Sequence, residues 1–172
     1  MSVEEEVEEH VHHAREPFDK RVAASMAIIA ALLAVVSVLG QHYTTEELLL
    51  QAKASDQWSY YQAKDIRRFT AEATRDIVGE LKPSAPSQGK YDQQAAKYKS
   101  DAKGIQDQAR DYENESAASG KKASWFHFGE IFLEVAIVFS SLAILTKAKA
   151  LYLTGIACAL GGVGIAIAAW LI

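Results

Sequence analysis

The chain has 172 residues, enough for one domain or for one helical bundle with an appendage. Its formal net charge of -4 argues against a nucleic-acid-binding protein, because such proteins usually carry a basic face. The single cysteine, Cys158, lies in an apolar run, so no intramolecular disulfide is possible. The sequence has no CxxC pair, no P-loop, no GxSxG and no HExxH, and therefore offers no motif of a familiar enzyme class.

Residues 1–21 form an acidic segment with seven carboxylates and three basic side chains. Valines recur in it at helical spacing, which predicts either a disordered tail or a short amphipathic helix at a membrane surface. His10 and His13 lie one helical turn apart, as two metal ligands on a helix would. Because nothing fixes further ligands, we prefer an acidic tail with incidental histidines, and we predict no metal and no cofactor.

Three segments of the chain are apolar enough to cross a membrane. Residues 22–40 and 150–172 contain no charged side chain, and residues 125–145 contain only two carboxylates. Each segment has about the 20 residues that a bilayer core requires. Small residues at helical spacing predict close helix packing in two of them: Ala23, Ala27, Ala30 and Ala34 in the first, and Gly155, Cys158, Ala159, Gly162 and Ala166 in the last.

The polar segment between the first two spans, residues 44–124, is predicted to form a long antiparallel helical hairpin. Its arms are about 44–81 and 90–119, and prolines and a glycine break the pattern at the tip, 82–89. Arms of similar length bring both ends back to one surface, where the flanking spans must begin. Thr44 or Thr45 is predicted to cap the first arm, and residues 119–124 are predicted to form a hinge.

Apolar residues along both arms predict a coiled-coil seam. In the second arm they alternate at four and three residues: Tyr91, Ala95, Tyr98, Ala102, Ile105, Ala109, Tyr112 and Ser116. In the first arm they are Leu50, Ala54, Trp58, Tyr61, Ile66, Phe69, Ala73 and Ile77. Large and small side chains can interlock across such a seam. The residues that we consider for packing within the hairpin or for contact with another molecule are Trp58, Tyr60, Tyr61, Gln62, Tyr91, Tyr98 and Tyr112.

Trp58 and Tyr61 fit the seam, so a core role is preferred for them. Tyr60 and Gln62 point elsewhere on the helix and are the better candidates for contact with another hairpin or a ligand.

Short basic segments predict the orientation in the membrane. Basic residues precede the first span, and Lys147 and Lys149 lie between the second and third spans, on the same side in a three-span arrangement. Because basic short loops stay in the cytoplasm, the N-terminus is expected there and the hairpin and C-terminus in the periplasm. Lys121 and Lys122 argue in the opposite direction.

Three stretches resemble a known family. They are Ala54-Ser55-Asp56-Gln57-Trp58-Ser59-Tyr60-Tyr61-Gln62-Ala63-Lys64 in the first arm, Pro17-Phe18-Asp19-Lys20-Arg21-Val22-Ala23 before the first span, and Ala143-Ile144-Leu145-Thr146 at the end of the second. Together they are similar to an uncharacterised bacterial membrane-protein family, domain of unknown function 4337. The resemblance covers nearly the whole chain. It implies a bacterial three-span membrane protein with a helical insert, and it implies no activity.

A polar face on the second span is the best chemical candidate. His127, Glu130, Glu134 and Ser141 lie at offsets of three, four and seven residues and so share one side of the helix. Ionisable residues within a membrane usually face a bundle interior or a water path, so this face could line a proton or cation route through an oligomer. The alternative is that Glu130 lies at the interface, while Glu134 is protonated or hydrogen-bonded to another helix.

These patterns predict an all-α integral membrane protein, with three transmembrane helices and an extramembrane coiled-coil hairpin between the first two. We expect a homo-oligomer in the bacterial inner membrane, in contact with lipids and with an unidentified protein partner through the hairpin, and no bound nucleic acid. The expected function is that of a scaffold or adaptor, and the alternative is a small ion or proton channel. No nucleophile–base pair is visible, so an enzyme is not expected.

Overall fold

A computed structural model describes residues 17–82 and 87–172 of the chain, and these residues are almost entirely α-helical. The helices are α1 (Pro17–Leu81), α2 (Ser87–Thr146) and α3 (Lys149–Leu171), and no strand occurs in the described ranges. Each helix contains a stretch that is long and apolar enough to cross a membrane. The prediction of an all-α protein with three candidate spans is confirmed. His10 and His13 lie outside the described residues.

The first two helices are longer than the sequence predicted. Helix α1 has 65 residues and α2 has 60, so each joins a candidate span to a polar segment without interruption. The Thr44 hydroxyl donates to the Gly40 carbonyl oxygen (3.0 Å), inside the helix, and the Ser124 hydroxyl does the same to Gly120 (2.9 Å). The predicted cap at Thr44 or Thr45 and the predicted hinge at 119–124 are therefore wrong. Hydroxyls bonded to the preceding turn are compatible with a helix interior, and one glycine costs a helix only about 1 kcal/mol.

The chain divides into two compact units. The first unit contains the described residues up to Thr44 together with Gly120–Ile172, and it holds all three apolar stretches. The second unit is Thr45–Ser119.

In the first unit, α1 uses a different face from the one that its alanines suggested. Val22, Ile29 and Val36, seven residues apart, are buried. The alanines predicted to pack closely are exposed within this chain: Ala23, Ala27, Ala30 and Ala34. They lie roughly 100–160° around the helix from the nearest buried residues, since successive residues differ by about 100°. The buried face of α1 is thus set by branched side chains that fill the space between helices.

Helix α3 packs against α2 through its small residues. Five of them are buried: Gly155, Ala159, Gly162, Ala166 and Ala169. A Cβ atom added to Gly162 would lie 2.7 Å from the Gly129 carbonyl oxygen, so the two backbones are in direct contact there. Cys158 is only half-buried. The small-residue contact predicted for this helix is present, and its face runs from Gly155 to Ala169.

The turn between α2 and α3 is short and is held against the start of α1. Lys147 has a φ of 55°, a left-handed conformation that reverses the chain within two residues. Its Nζ donates to Asp19 Oδ2 at 2.6 Å. The rings of Phe18 and Tyr152 meet edge to face, with centroids 5.9 Å apart. The beginning of α1 therefore lies at the same end of this unit as the turn.

In the second unit, α2 buries or half-buries the residues of its predicted seam, from Tyr91 to Ser116. On α1 the predicted face is correct only as far as Tyr61. Beyond it, the buried and half-buried positions include a row at alternating three- and four-residue spacing, Lys64, Arg68, Ala71, Arg75 and Val78, and the residues predicted there are exposed: Ile66, Phe69, Ala73 and Ile77. The observed positions continue the alternation of three and four residues, whereas the step from Tyr61 to Ile66 is five and leaves that face.

Candidate functional site

His127 and Glu130 form a hydrogen-bonded cluster with residues of α1. His127 Nδ1 lies 3.1 Å from Glu130 Oε2, and its Nε2 lies 3.2 Å from Thr44 Oγ1. The Glu130 carboxyl group also shares a hydrogen bond with Ser37. Because the Thr44 hydroxyl proton is directed to the Gly40 carbonyl, Nε2 must be the donor to Thr44. The bond between Nδ1 and Glu130 then contains one proton, held on either the imidazole or the carboxyl group.

Glu134 and Ser141 do not join this cluster. Both side chains are exposed on the surface of the first unit. In the part of the chain that the structure describes, neither has a hydrogen bond to a side chain or an ion pair. The predicted polar face is thus two separate features, an internally bonded His127–Glu130 cluster and an unpartnered carboxyl group one turn further along α2.

Lys64 is the centre of a second polar cluster, in the second unit. Its Nζ donates to Asp101 Oδ2 at 2.9 Å and lies over two aromatic rings, 5.4 Å from the centroid of Tyr60 and 5.7 Å from that of Tyr98. The hydrogen bond to the Asp101 carboxylate raises the pKa of Lys64, and partial loss of water around the ammonium group opposes this effect. Two predicted interface tyrosines, Tyr60 and Tyr98, therefore meet at one lysine.

Trp58 connects α1 to α2 at a third position. Its Nε1 donates to Glu113 Oε1 at 2.8 Å, and its ring meets that of Tyr61 edge to face at 5.6 Å. About one turn after Glu113 on α2, the Ser116 hydroxyl donates to the Glu47 carbonyl oxygen of α1 at 3.1 Å. The indole is thus both packed and hydrogen-bonded.

The remaining predicted residues make fewer contacts. Tyr112 is half-buried and lies under Lys53, whose Nζ is 5.7 Å from the ring centroid. Tyr91 is half-buried and Gln62 is exposed. No ring contact or side-chain hydrogen bond of these two is found within residues 17–82 and 87–172.

Sequence reasoning missed most of the charged residues that hold the second unit together. Arg75 contacts both Asp76 (2.8 Å) and Asp92 (3.1 Å), and these carboxylates raise its pKa. Asp65 and Glu72 act in the same way on Arg68. The signal that could have revealed them is the regular alternation of three and four residues on α1 beyond Tyr61, because three of its five positions are basic: Lys64, Arg68 and Arg75.

We expect Lys64→Met to lower the thermal midpoint of the second unit, because Asp101 and the two tyrosine rings lose their cation. Lys97→Met removes the same charge at an exposed position and should leave the midpoint unchanged. Since the pKa of Lys64 is raised, its contribution is fully present below the ordinary lysine value of 10.5 and disappears as the pH rises above it. Circular dichroism melting at neutral pH, with and without 1 M salt, provides the measurement; equal midpoints for the two variants would contradict the assignment.

The clusters can hold protons and resist separation of the helices. Within residues 17–82 and 87–172, no three His, Cys, Asp or Glu residues are placed to hold a metal ion.

The architecture defines a class of helical protein with three candidate membrane spans and a polar helical segment inserted between the first two. The model of the family described as Domain of unknown function (DUF4337) matches residues 18–172. The chain belongs to this family, as the resemblance in its sequence indicated. No curated protein and no solved structure matches it.

Proposed function

We propose that the protein is a homo-oligomeric membrane scaffold or adaptor rather than an enzyme, and that its second unit is an antiparallel coiled-coil hairpin that binds another protein. Three contacts support antiparallel pairing of the arms. Trp58 meets Glu113, Lys64 meets Asp101 and Arg75 meets Asp92, so positions advance along α1 as they recede along α2.

The observation that carries the proposal is an exposed apolar stripe on α1, formed by Ile66, Phe69, Ala73, Ile77 and Leu81. The four large side chains are between 57% and 76% exposed. At about 100° per residue, the stripe lies on the side of α1 opposite to the residues that face α2. A coiled coil of two helices needs one apolar seam, so a second, outward-facing stripe on a polar unit indicates an interaction surface.

The chemistry of the stripe fits the apolar face of a partner helix. Side chains three or four residues apart form a ridge that an amphipathic helix can bury. The Arg68 guanidinium carbon lies 4.3 Å from the centroid of the Phe69 ring, while its charge is paired with Asp65 and Glu72. The recognition chemistry of the stripe is therefore apolar, and we expect a partner helix with an apolar face.

A photoreactive benzoylphenylalanine in place of Phe69 should capture this partner in living cells. The same amino acid in place of Arg67, which is exposed but lies about 100° around the helix from Ile66, is the control. We expect a discrete cross-linked product at Phe69 and none at Arg67. Equal cross-linking at the two positions, or none at either, would contradict the scaffold function.

For orientation, we propose a three-span arrangement in the bacterial inner membrane with the N-terminus in the cytoplasm. The contact between Asp19 and Lys147 supports it, because two basic segments then share one end of the first unit. The hairpin would lie in the periplasm. Thiol labelling of a Ser84→Cys variant from the cytoplasmic side alone would contradict this orientation.

A small ion or proton channel is the second candidate, and the exposed Glu134 is the observation that favours it. In an oligomer, a carboxylate on the surface of one protomer could line a central path. Reconstituted liposomes distinguish the two functions: a channel passes ions above the level of empty vesicles and loses this flux in Glu134→Ala, whereas a scaffold passes none.

A further inference from the structure

We propose that a second copy of the chain packs along one face of α2 and that the Glu134 carboxyl groups of the two copies hydrogen-bond to each other. This inference rests on the homo-oligomer proposed above and assigns its interface. We define the Glu134 face as Ile131, Glu134, Val138, Ser141 and Leu145.

Glu134 lies close to the middle of the apolar layer. One end of this layer is marked on α2 by His127, which contacts Gly40, and the other by Lys147 in the turn just after α2, which contacts Asp19. Ile137 is midway between them, and Glu134 is about 4.5 Å from it along the helix axis, at about 1.5 Å per residue. In a membrane, no water reaches this depth from the bulk to solvate the carboxyl group, so it needs a protein partner or a water path.

The Glu134 face is the most outward part of α2 at this depth. Ile131 is 51% exposed, Val138 57% and Leu145 80%, and the steps between the five residues alternate at three and four. This alternation is the pattern of a helix–helix seam. Its apolar layers alternate with polar ones, Glu134 and Ser141.

A second copy matches this alternation because the copies of an oligomer share one orientation in the membrane. Symmetry about an axis along the membrane normal places each residue of the face opposite itself. Apolar layers then meet apolar layers, and Glu134 meets Glu134. A protonated carboxyl group can donate to and accept from its neighbour, so the pair satisfies itself without a further residue. A different membrane protein would have to supply a polar group at the same depth.

Disulfide cross-linking in membranes tests the face directly. In a full-length Cys158→Ala background, we expect Ile131→Cys and Val138→Cys to form disulfide-linked dimers on oxidation. The controls come from α3, which runs antiparallel to α2 with Gly155 against Ala136 and Gly162 against Gly129. Leu160 and Leu153, 69% and 67% exposed, lie level with Ile131 and Val138, respectively. Leu160→Cys and Leu153→Cys should not form dimers.

Variants of Glu134 test the carboxyl pair. Glu134→Gln keeps a donor and an acceptor and should preserve self-association in nanodiscs or detergent. Glu134→Ala should weaken it about tenfold, the equivalent of about 1.4 kcal/mol, which is within the range measured for hydrogen bonds between membrane helices. Equal dissociation constants for the wild type and Glu134→Ala would overturn the pairing.

The possible results distinguish failure of the Glu134 interface from failure of the proposed homo-oligomer. A monomer at all protein concentrations would overturn the homo-oligomer and this interface together. An oligomer that cross-links only through Leu153→Cys and Leu160→Cys would leave the oligomer intact and overturn the Glu134 face. Cross-linking of the face to a different protein would also overturn it. Reaction of a Glu134→Cys variant with a charged, water-soluble thiol reagent would show a water path and support the channel instead.

Discussion

Phe126→Ala is expected to destabilise the first unit by about 3 kcal/mol, since removal of a buried phenylalanine typically costs about 3–5 kcal/mol. Phe126 is only 1% exposed and stacks on Tyr43, with ring centroids 5.6 Å apart and planes 8° from parallel. Gly40 of α1 lies beside it, since a Cβ atom added there would be in ordinary van der Waals contact with that of Phe126, at 3.4 Å. Alanine would leave a cavity between α1 and α2 that neighbouring helices cannot fill.

The control for this variant is two residues away. Phe128 is 59% exposed, so Phe128→Ala removes the same ring without opening a cavity and should change stability by less than about 1 kcal/mol. Unfolding by denaturant in a mild detergent, followed by tryptophan fluorescence, measures both. Equal losses would mean that these aromatic residues act through contact with the lipid or detergent and not through packing.

Phe126 also illustrates what the sequence could predict. Its neighbours Trp125, His127 and Phe128 also carry aromatic rings, and composition alone does not distinguish the four residues. The structure separates them, because only one side of a helix faces its neighbours. Long uncharged runs predict spans from length and hydropathy, whereas the side that each span buries depends on contacts with other helices.

The spacing of residues along α1 and α2 explains where the observed faces of the second unit differ from the predicted ones. On α2, the seam residues are mostly tyrosines and alanines at strictly alternating spacings of four and three residues, and the structure buries or half-buries those positions. On α1, apolar residues beyond Tyr61 supply a competing pattern on the opposite side of the helix. Asp101 and Asp92 select the phase that brings Lys64 and Arg75 towards α2. A single chain read by hydropathy cannot weigh these ion pairs, since their partners lie 37 and 17 residues away.

In the candidate sites, too, neighbours on one helix could be predicted from the sequence, whereas partners on another helix could not. Spacing correctly placed His127 beside Glu130, because residues three apart on a helix are neighbours. Thr44 and Ser37, which complete that cluster, belong to another helix and carry no local signal. Spacing also placed Glu134 on the same side of α2. Its lack of a partner in the described chain follows from the packing of the three helices, which spacing alone does not show.

Gly162→Ala should destabilise the first unit by about 1–3 kcal/mol, the usual cost of an overpacked contact, even though alanine favours helices. Its Cβ atom would lie 2.7 Å from the Gly129 carbonyl oxygen and 3.0 Å from Leu133 Cγ, so α2 and α3 would have to separate. The backbone oxygen cannot turn aside as a flexible side chain could. Because the two helices meet over several turns, a displacement at this point also weakens the contacts of Gly155 and Ala166.

Gly164→Ala provides the matched control in the same helix. No atom lies within 4 Å of a Cβ added there, so the substitution should be neutral or should stabilise the protein by up to about 1 kcal/mol through helix propensity. Thermal unfolding in detergent, followed by circular dichroism, should therefore shift the two midpoints in opposite directions. Two equal shifts would contradict backbone contact between α2 and α3 at Gly162, because helix propensity alone treats both glycines in the same way.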